Sequence, residues 1–261
     1  MRRYCILLIA SLMPLCGWAA GGAGVDLESA PIDLDDHASL QRGARLYMNY
    51  CMGCHSLQYE RYEQVAEGAE IPHELVLEHL VFDDSKIGEL MENAMPRDSA
   101  KRWFGAAPPD LTLVSRLRGN DWVYTYLKSF YTDPARPWGV NNLVFPDVGM
   151  PNVLLELQGE QRMVCKQVPQ LADNGGVKRD PLTGEDITVE DCHQLDVAPN
   201  TGRLDAEGFD QVAADLTNFL AYVGEPAQQE RRRLGIYVLL FVAFFFVVAY
   251  MLNREYWKDV H

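Results

Sequence analysis

Cys51-Met52-Gly53-Cys54-His55 decides how this 261-residue chain is read. C-x-x-C-H is the attachment signature of c-type haem. Two thiols two residues apart can form thioethers with the two vinyl groups of one haem, and the histidine that follows sits under the iron as its proximal ligand. A zinc site would need two further ligands, and no second C-x-x-C occurs. A thiol-redox C-x-x-C would want a βαβ setting, whereas the flanks here have helical periodicity.

Upstream, the spacing predicts a helix from about His37 to Tyr50. Leu40, Ala44, Tyr47 and Cys51 fall on one face, so the helix delivers the first cysteine at its end. Gly43 lies on that helix at a cost in propensity, which a close crossing by a second helix would explain. The stripe Phe209, Val212, Leu216, Phe219 and Val223 supplies the expected partner. Downstream, Ser56 to Tyr62 continues the motif. Residues 72–94 read as helical, with Leu75, Leu77, Leu80, Ile87 and Leu90 apolar and with His73 and His79 on the solvated side. Gly105 to Leu111 reads as a rigid turn whose Pro108 and Pro109 suit a wall against a flat macrocycle. Helix is expected again from about Leu111, carrying an aromatic patch around Trp122, Tyr124 and Tyr126. Arg116 and Arg118 are cations that could pair with a haem propionate or with a surface carboxylate.

The second axial ligand could be Met, His or water. Met95-Pro96 and Met150-Pro151 both offer a thioether. Met95 closes an expected helix, where methionine usually packs. Met150 sits in Phe145-Pro146-Asp147-Val148-Gly149-Met150-Pro151, a loop in which Gly149 gives room to turn the sulfur toward the iron. Loop chemistry favours Met150. Methionine ligation raises the potential relative to bis-histidine and closes the iron to substrates, which points to electron transfer and away from a haem peroxidase.

The ends have their own signatures. Met1 to Ala20 has a basic start, an apolar run and small residues, as a cleaved secretory signal peptide does. Leu234 to Leu252 is an uncharged stretch of 19 residues, about 28 Å as helix at ~1.5 Å per residue, which matches a hydrocarbon core of about 30 Å. Residues 253–261 would form a cytoplasmic tail. The positive-inside count mildly opposes that orientation, but an exported domain overrides a one-charge difference. The domain expected outside the cytoplasm, 21–230, holds 16 Lys and Arg against 35 Asp and Glu, a net of −19. Such a surface repels nucleic acid and attracts basic partners. Residues 160–205 are polar and glycine-rich, an inserted loop region. Cys165 and Cys192 flank it, and two spare thiols in an exported domain most simply pair, free buried thiols being the other reading.

Together, Arg42-Gly43-Ala44, Cys51 to Ser56, Pro108-Pro109-Asp110-Leu111, Gly149-Met150-Pro151 and a single C-terminal anchor resemble the cytochrome c1 family, the haem-c subunits of ubiquinol–cytochrome c reductase (bc1) complexes. The resemblance implies a mainly α, class I cytochrome c-like haem domain with an inserted loop region and one C-terminal transmembrane helix. It implies one haem c bound through Cys51 and Cys54, with His55 and Met150 as axial ligands. Arg118 would meet a propionate, and Pro109 and Trp122 would line the pocket. It also implies a disulfide in the insertion, a Gram-negative origin and a periplasmic domain on the inner membrane. The implied neighbours are a cytochrome b subunit, a Rieske iron–sulfur protein as donor, a basic or membrane-tethered cytochrome c as acceptor, membrane lipid and a dimeric complex. A membrane-anchored carrier feeding a terminal oxidase is the alternative.

Overall fold

The computed structural model describes residues 25–171 and 176–258. The signal-peptide reading and the last residues of the tail lie outside them, as does the side chain of Cys192. Residues 25–33 are irregular, and the first helix, α1 (His37–Tyr50), begins and ends where the periodicity placed it. Asp36 caps it by accepting from Ser39 N at 2.9 Å, the bond that satisfies one orphan N–H of a first turn.

The chain then runs through β1 (Leu57–Arg61), α2 (Tyr62–Gly68), α3 (His73–His79), β2 (Leu90–Met91) and α4 (Arg97–Phe104). Next come α5 (Val114–Arg118), α6 (Asn120–Lys128), β3 (Phe130–Thr132), β4 (Val140–Asn142) and α7 (Leu155–Gln158). A hairpin of β5 (Gln161–Pro169) and β6 (Thr188–Val197) follows, then α8 (Ala206–Gly224) and α9 (Gln228–Tyr256). Among the described residues the three sheets are antiparallel pairs, β1–β2, β3–β4 and β5–β6.

The crossing of α1 over α8 is the spine of the domain. A Cβ on Gly43 would stand 2.2 Å from the backbone oxygen of Asp215 and 2.6 Å from Phe219 Cβ, so only glycine lets these helices approach this closely. Tyr47 and Phe219 pack their rings 5.5 Å apart across the same contact. Asp215, 2 % exposed, would be costly to bury alone. It accepts from Arg42 Nε at 2.6 Å, Arg42 Nη2 at 2.9 Å, Ser39 Oγ at 2.7 Å and Gln211 Nε2 at 2.9 Å. Helices α5 and α6 also pack against α8.

Two expectations are corrected. Residues 72–94 form no single helix. Only His73–His79 is helical, because Asp83 turns the chain by accepting from Ser85 N at 2.9 Å, and the segment then returns as β2 against β1. Met91 is buried there, while Leu75 and Leu77 stay exposed. His73 and His79 stand at the two ends of α3, His79 exposed. The insertion is likewise no loop. It is a long two-stranded hairpin, kept out of sight in the sequence because neither strand alternates polar and apolar residues. Cys165 is disulfide-bonded. Val164 pairs with Gln194 and Lys166 with Asp191, so backbone positions 192–193 lie across from it at an irregularity in the ladder.

The apolar C-terminal stretch is part of α9, a 29-residue helix none of whose side chains is buried. By length and composition it can cross a membrane.

Candidate functional site

Helix α1 ends at the motif, and the chain turns tightly there: Cys54 N donates to Cys51 O at 3.0 Å and His55 N to the same oxygen at 2.9 Å. This turn closes the motif into one tight loop at the helix end. Among the described residues Cys51 and Cys54 are free thiols, partly buried. Burial, and after it the neighbouring Cys54, push the Cys51 thiol up to about 12.

His55 is held from several sides. Its Nδ1 faces the Pro109 carbonyl oxygen at 2.7 Å, and its own carbonyl accepts from the buried Tyr47 hydroxyl. The carbonyl can only accept, so Nδ1 carries the proton and Nε2 is left with its lone pair. Desolvation lowers the imidazole's basicity, opposed by the Pro109 contact and by Asp110. A neutral ring with one nitrogen tied to backbone is the second-shell arrangement of a metal-ligating histidine.

The Pro108-Pro109-Asp110-Leu111 turn is locked to the motif. Leu111 N donates to Ser56 O at 3.0 Å, and Gln58 N to Asp110 Oδ2 at 2.7 Å. Pro109 brings its carbonyl to the site, against His55 Nδ1. A cleft of about 220 Å³ opens beside this turn, lined by Cys54, Pro108, Asp110, Met95 and Arg97 among others.

Met150 belongs to a second cluster. Its Sδ accepts from the Tyr126 hydroxyl at 3.3 Å. Trp122 stacks on Tyr126 at 4.9 Å, and Phe145 meets Trp122 edge-on at 6.4 Å. The Arg118 guanidinium lies 5.1 Å from the Trp122 ring centre and 5.9 Å from that of Phe145. Among the described residues Arg118 has no carboxylate at ion-pair distance, whereas Arg116 approaches Glu225 at 3.9 Å. The methionine loop is rigidly built. Asn142 Oδ1 accepts from Val144 N and Phe145 N, Asn141 Oδ1 from Asp147 N, and Arg136 clamps Asp147 through two 2.8 Å bonds. Asp147 adopts φ +62° to make the turn. Gly149 brings the loop against the segment before Pro108: its Cβ would sit 3.2 Å from Phe104 O.

The structure therefore groups Cys51, Cys54, His55 and Pro109 on one side, and Met150, Trp122 and Arg118 on another. Tyr47 entered the sequence reading only on an apolar face and Tyr126 only in an aromatic patch; Asn142 and Arg136 were not singled out. Their hydrogen bonds to backbone, carboxylate and sulfur leave no periodic trace.

A helical domain that presents free C-x-x-C thiols beside a neutral, oriented histidine, ahead of a long apolar helix, has the make-up of a membrane-tethered c-type cytochrome. A model of the cytochrome C1 family matches residues 28–162 and 203–260, passing over most of the hairpin. Cytochrome c1 of Allochromatium vinosum is 49 % identical over 261 residues, the whole of both chains. The ammonia monooxygenase gamma subunit of Nitrosomonas europaea is 37 % identical, again over the whole of both. The mitochondrial cytochrome c1 heme protein of Saccharomyces cerevisiae is 24 % identical, over 95 % of this chain and 72 % of its own. The chain belongs to the cytochrome C1 family. It has the role of the c1 subunit of a bc1 complex in electron transport, which implies a haem c cofactor and association with a membrane.

Proposed function

We propose that Cys51 and Cys54 tether one haem c and that His55 Nε2 and Met150 Sδ take its two axial positions. Bound there, the haem supplies a one-electron Fe(III)/Fe(II) couple. The observation that carries the reading is the Pro109 carbonyl on His55 Nδ1, because it fixes the tautomer a proximal ligand needs. Arg118, cationic and without a carboxylate partner among the described residues, is placed on aromatic faces to meet a propionate. Trp122 supports that face. Pro109 serves through its backbone, and Cys165 pairs with Cys192 to brace the hairpin.

The chain takes single electrons from the Rieske iron–sulfur protein and hands them to a cytochrome c. It stands beside a cytochrome b subunit in a dimeric complex of the bacterial inner membrane, with its signal peptide removed, its haem domain in the periplasm and its last residues in the cytoplasm. With both axial positions filled by its own side chains the site leaves no place for oxygen. The relay is therefore favoured over a monooxygenase role suggested by the name of the Nitrosomonas relative. Co-purification with a b-haem subunit separates the complex from a free-standing anchored carrier.

Membrane-purified Met150→Leu protein tests the assignment. It is expected to keep its covalent haem, lose the long-wavelength sulfur-to-iron band of the oxidised state and fall in potential. Met95→Leu is expected to change none of these. The reverse pattern would move the ligand to Met95, which lines the cleft beside Cys54.

A further inference from the structure

Tyr126 is placed to do more than fill space. Its ring is fixed on two sides, by Trp122 stacked at 4.9 Å with 9° between planes and by Phe130 edge-on at 5.1 Å. Its backbone carbonyl accepts from Asn142 Nδ2 at 2.8 Å. The same Asn142 side chain accepts from Val144 N and Phe145 N at the start of the Met150 loop. One buried asparagine thus ties the tyrosine's helix to the methionine's loop, and the hydroxyl-to-sulfur bond of 3.3 Å spans two parts of a single rigid frame. A thioether sulfur carries two lone pairs. With one accepting from Tyr126, the other is left for a metal, and the sulfur's rotation is stopped.

We propose that Tyr126 is a positioning residue for the redox centre: its hydroxyl orients the Met150 thioether and draws electron density from the sulfur, favouring the reduced state. The inference rests on Met150 being the axial ligand. Hydrogen bonding to a ligand atom is one of the levers by which proteins set such potentials.

The test is Tyr126→Phe in the full-length, membrane-purified protein, with readouts normalised to haem. The ring and its packing stay; only the donor goes. The expected result is a lower reduction potential and a weaker hold on the sulfur, seen as roughly five-fold tighter binding of added imidazole to the oxidised protein, the equivalent of one ordinary hydrogen bond. Site-specific 3-fluorotyrosine at 126, a stronger donor, is expected to move the potential the other way. An unchanged or raised potential in Tyr126→Phe, or a fluorotyrosine shift of the same sign as the Phe shift, overturns the proposal. Met150→Leu keeps the two readings apart. If it leaves the sulfur band intact, the ligand assignment itself falls. If it abolishes the band while Tyr126→Phe changes nothing, only the role of Tyr126 falls.

Discussion

Glu60 shows what a single buried carboxyl does to this domain. It lies in β1, 2 % exposed, and its Oε1 has no hydrogen-bond partner among the described residues. Desolvation raises its pKa from 4.5 to about 7. Below pH 4.5 the group is protonated in both the folded and the unfolded chain. Between 4.5 and 7 the unfolded chain releases its proton while the folded chain retains it, so stability falls as pH rises through this window and levels off above it. Glu60→Gln removes that loss. Its melting temperature is expected to match the parent near pH 4.5 and exceed it increasingly up to pH 7, by about 2–3 kcal/mol in stability. A difference independent of pH would contradict this. At this scale the sequence spoke clearly only where chemistry is written in residue type. The two thiols and His55 were legible, and the Gly and Pro around Met150 marked a loop. The Pro109 carbonyl that orients His55 was not legible, because a backbone oxygen leaves no mark in a sequence. Tyr126 was legible only as part of an aromatic patch, because periodicity does not separate core from cofactor wall.

Among elements, the α1–α8 crossing carries the clearest prediction. Gly43→Ala would push a methyl group into the Asp215 backbone at 2.2 Å, and backbone yields little. The expected loss is about 3 kcal/mol or more, read as a lowered melting temperature and a smaller yield of haem-loaded protein. Because α1 ends in the motif, the same substitution should disturb the redox potential, whereas Ala at the open Gly53 position, which meets nothing within 4 Å, should leave stability nearly unchanged. Both helices were legible because each has one apolar face at a 3.6-residue period and a capping aspartate, Asp36 or Asp205. The segment after His79 was not, since its leucines keep a helix-like spacing while serving a short helix, a turn and a strand in succession. The β5–β6 hairpin stayed hidden because a solvated ribbon needs no alternation. The family model passes over residues 163–202 there, so the hairpin lies outside the shared frame of the family.

Across the whole molecule the dominant quantities are charge and tether. The acidic surface is expected to speed encounter with a basic cytochrome c, and the second-order rate of its reduction should fall steeply as ionic strength rises. A rate indifferent to salt would mean that the acidity serves solubility alone. The long apolar helix was the most legible element, because length and lack of charge suffice to define it. Its junction with the domain was not legible. Three residues, Glu225 to Ala227, separate α8 from α9, and Glu225 pairs with Arg231 at 2.6 Å and lies 3.9 Å from Arg116. At under about 4 Å per residue that link reaches little more than 10 Å even when stretched. The anchor is thus a short post and no leash. A domain tied this closely to its apolar helix stays parked at one height and has little radius in which to roam.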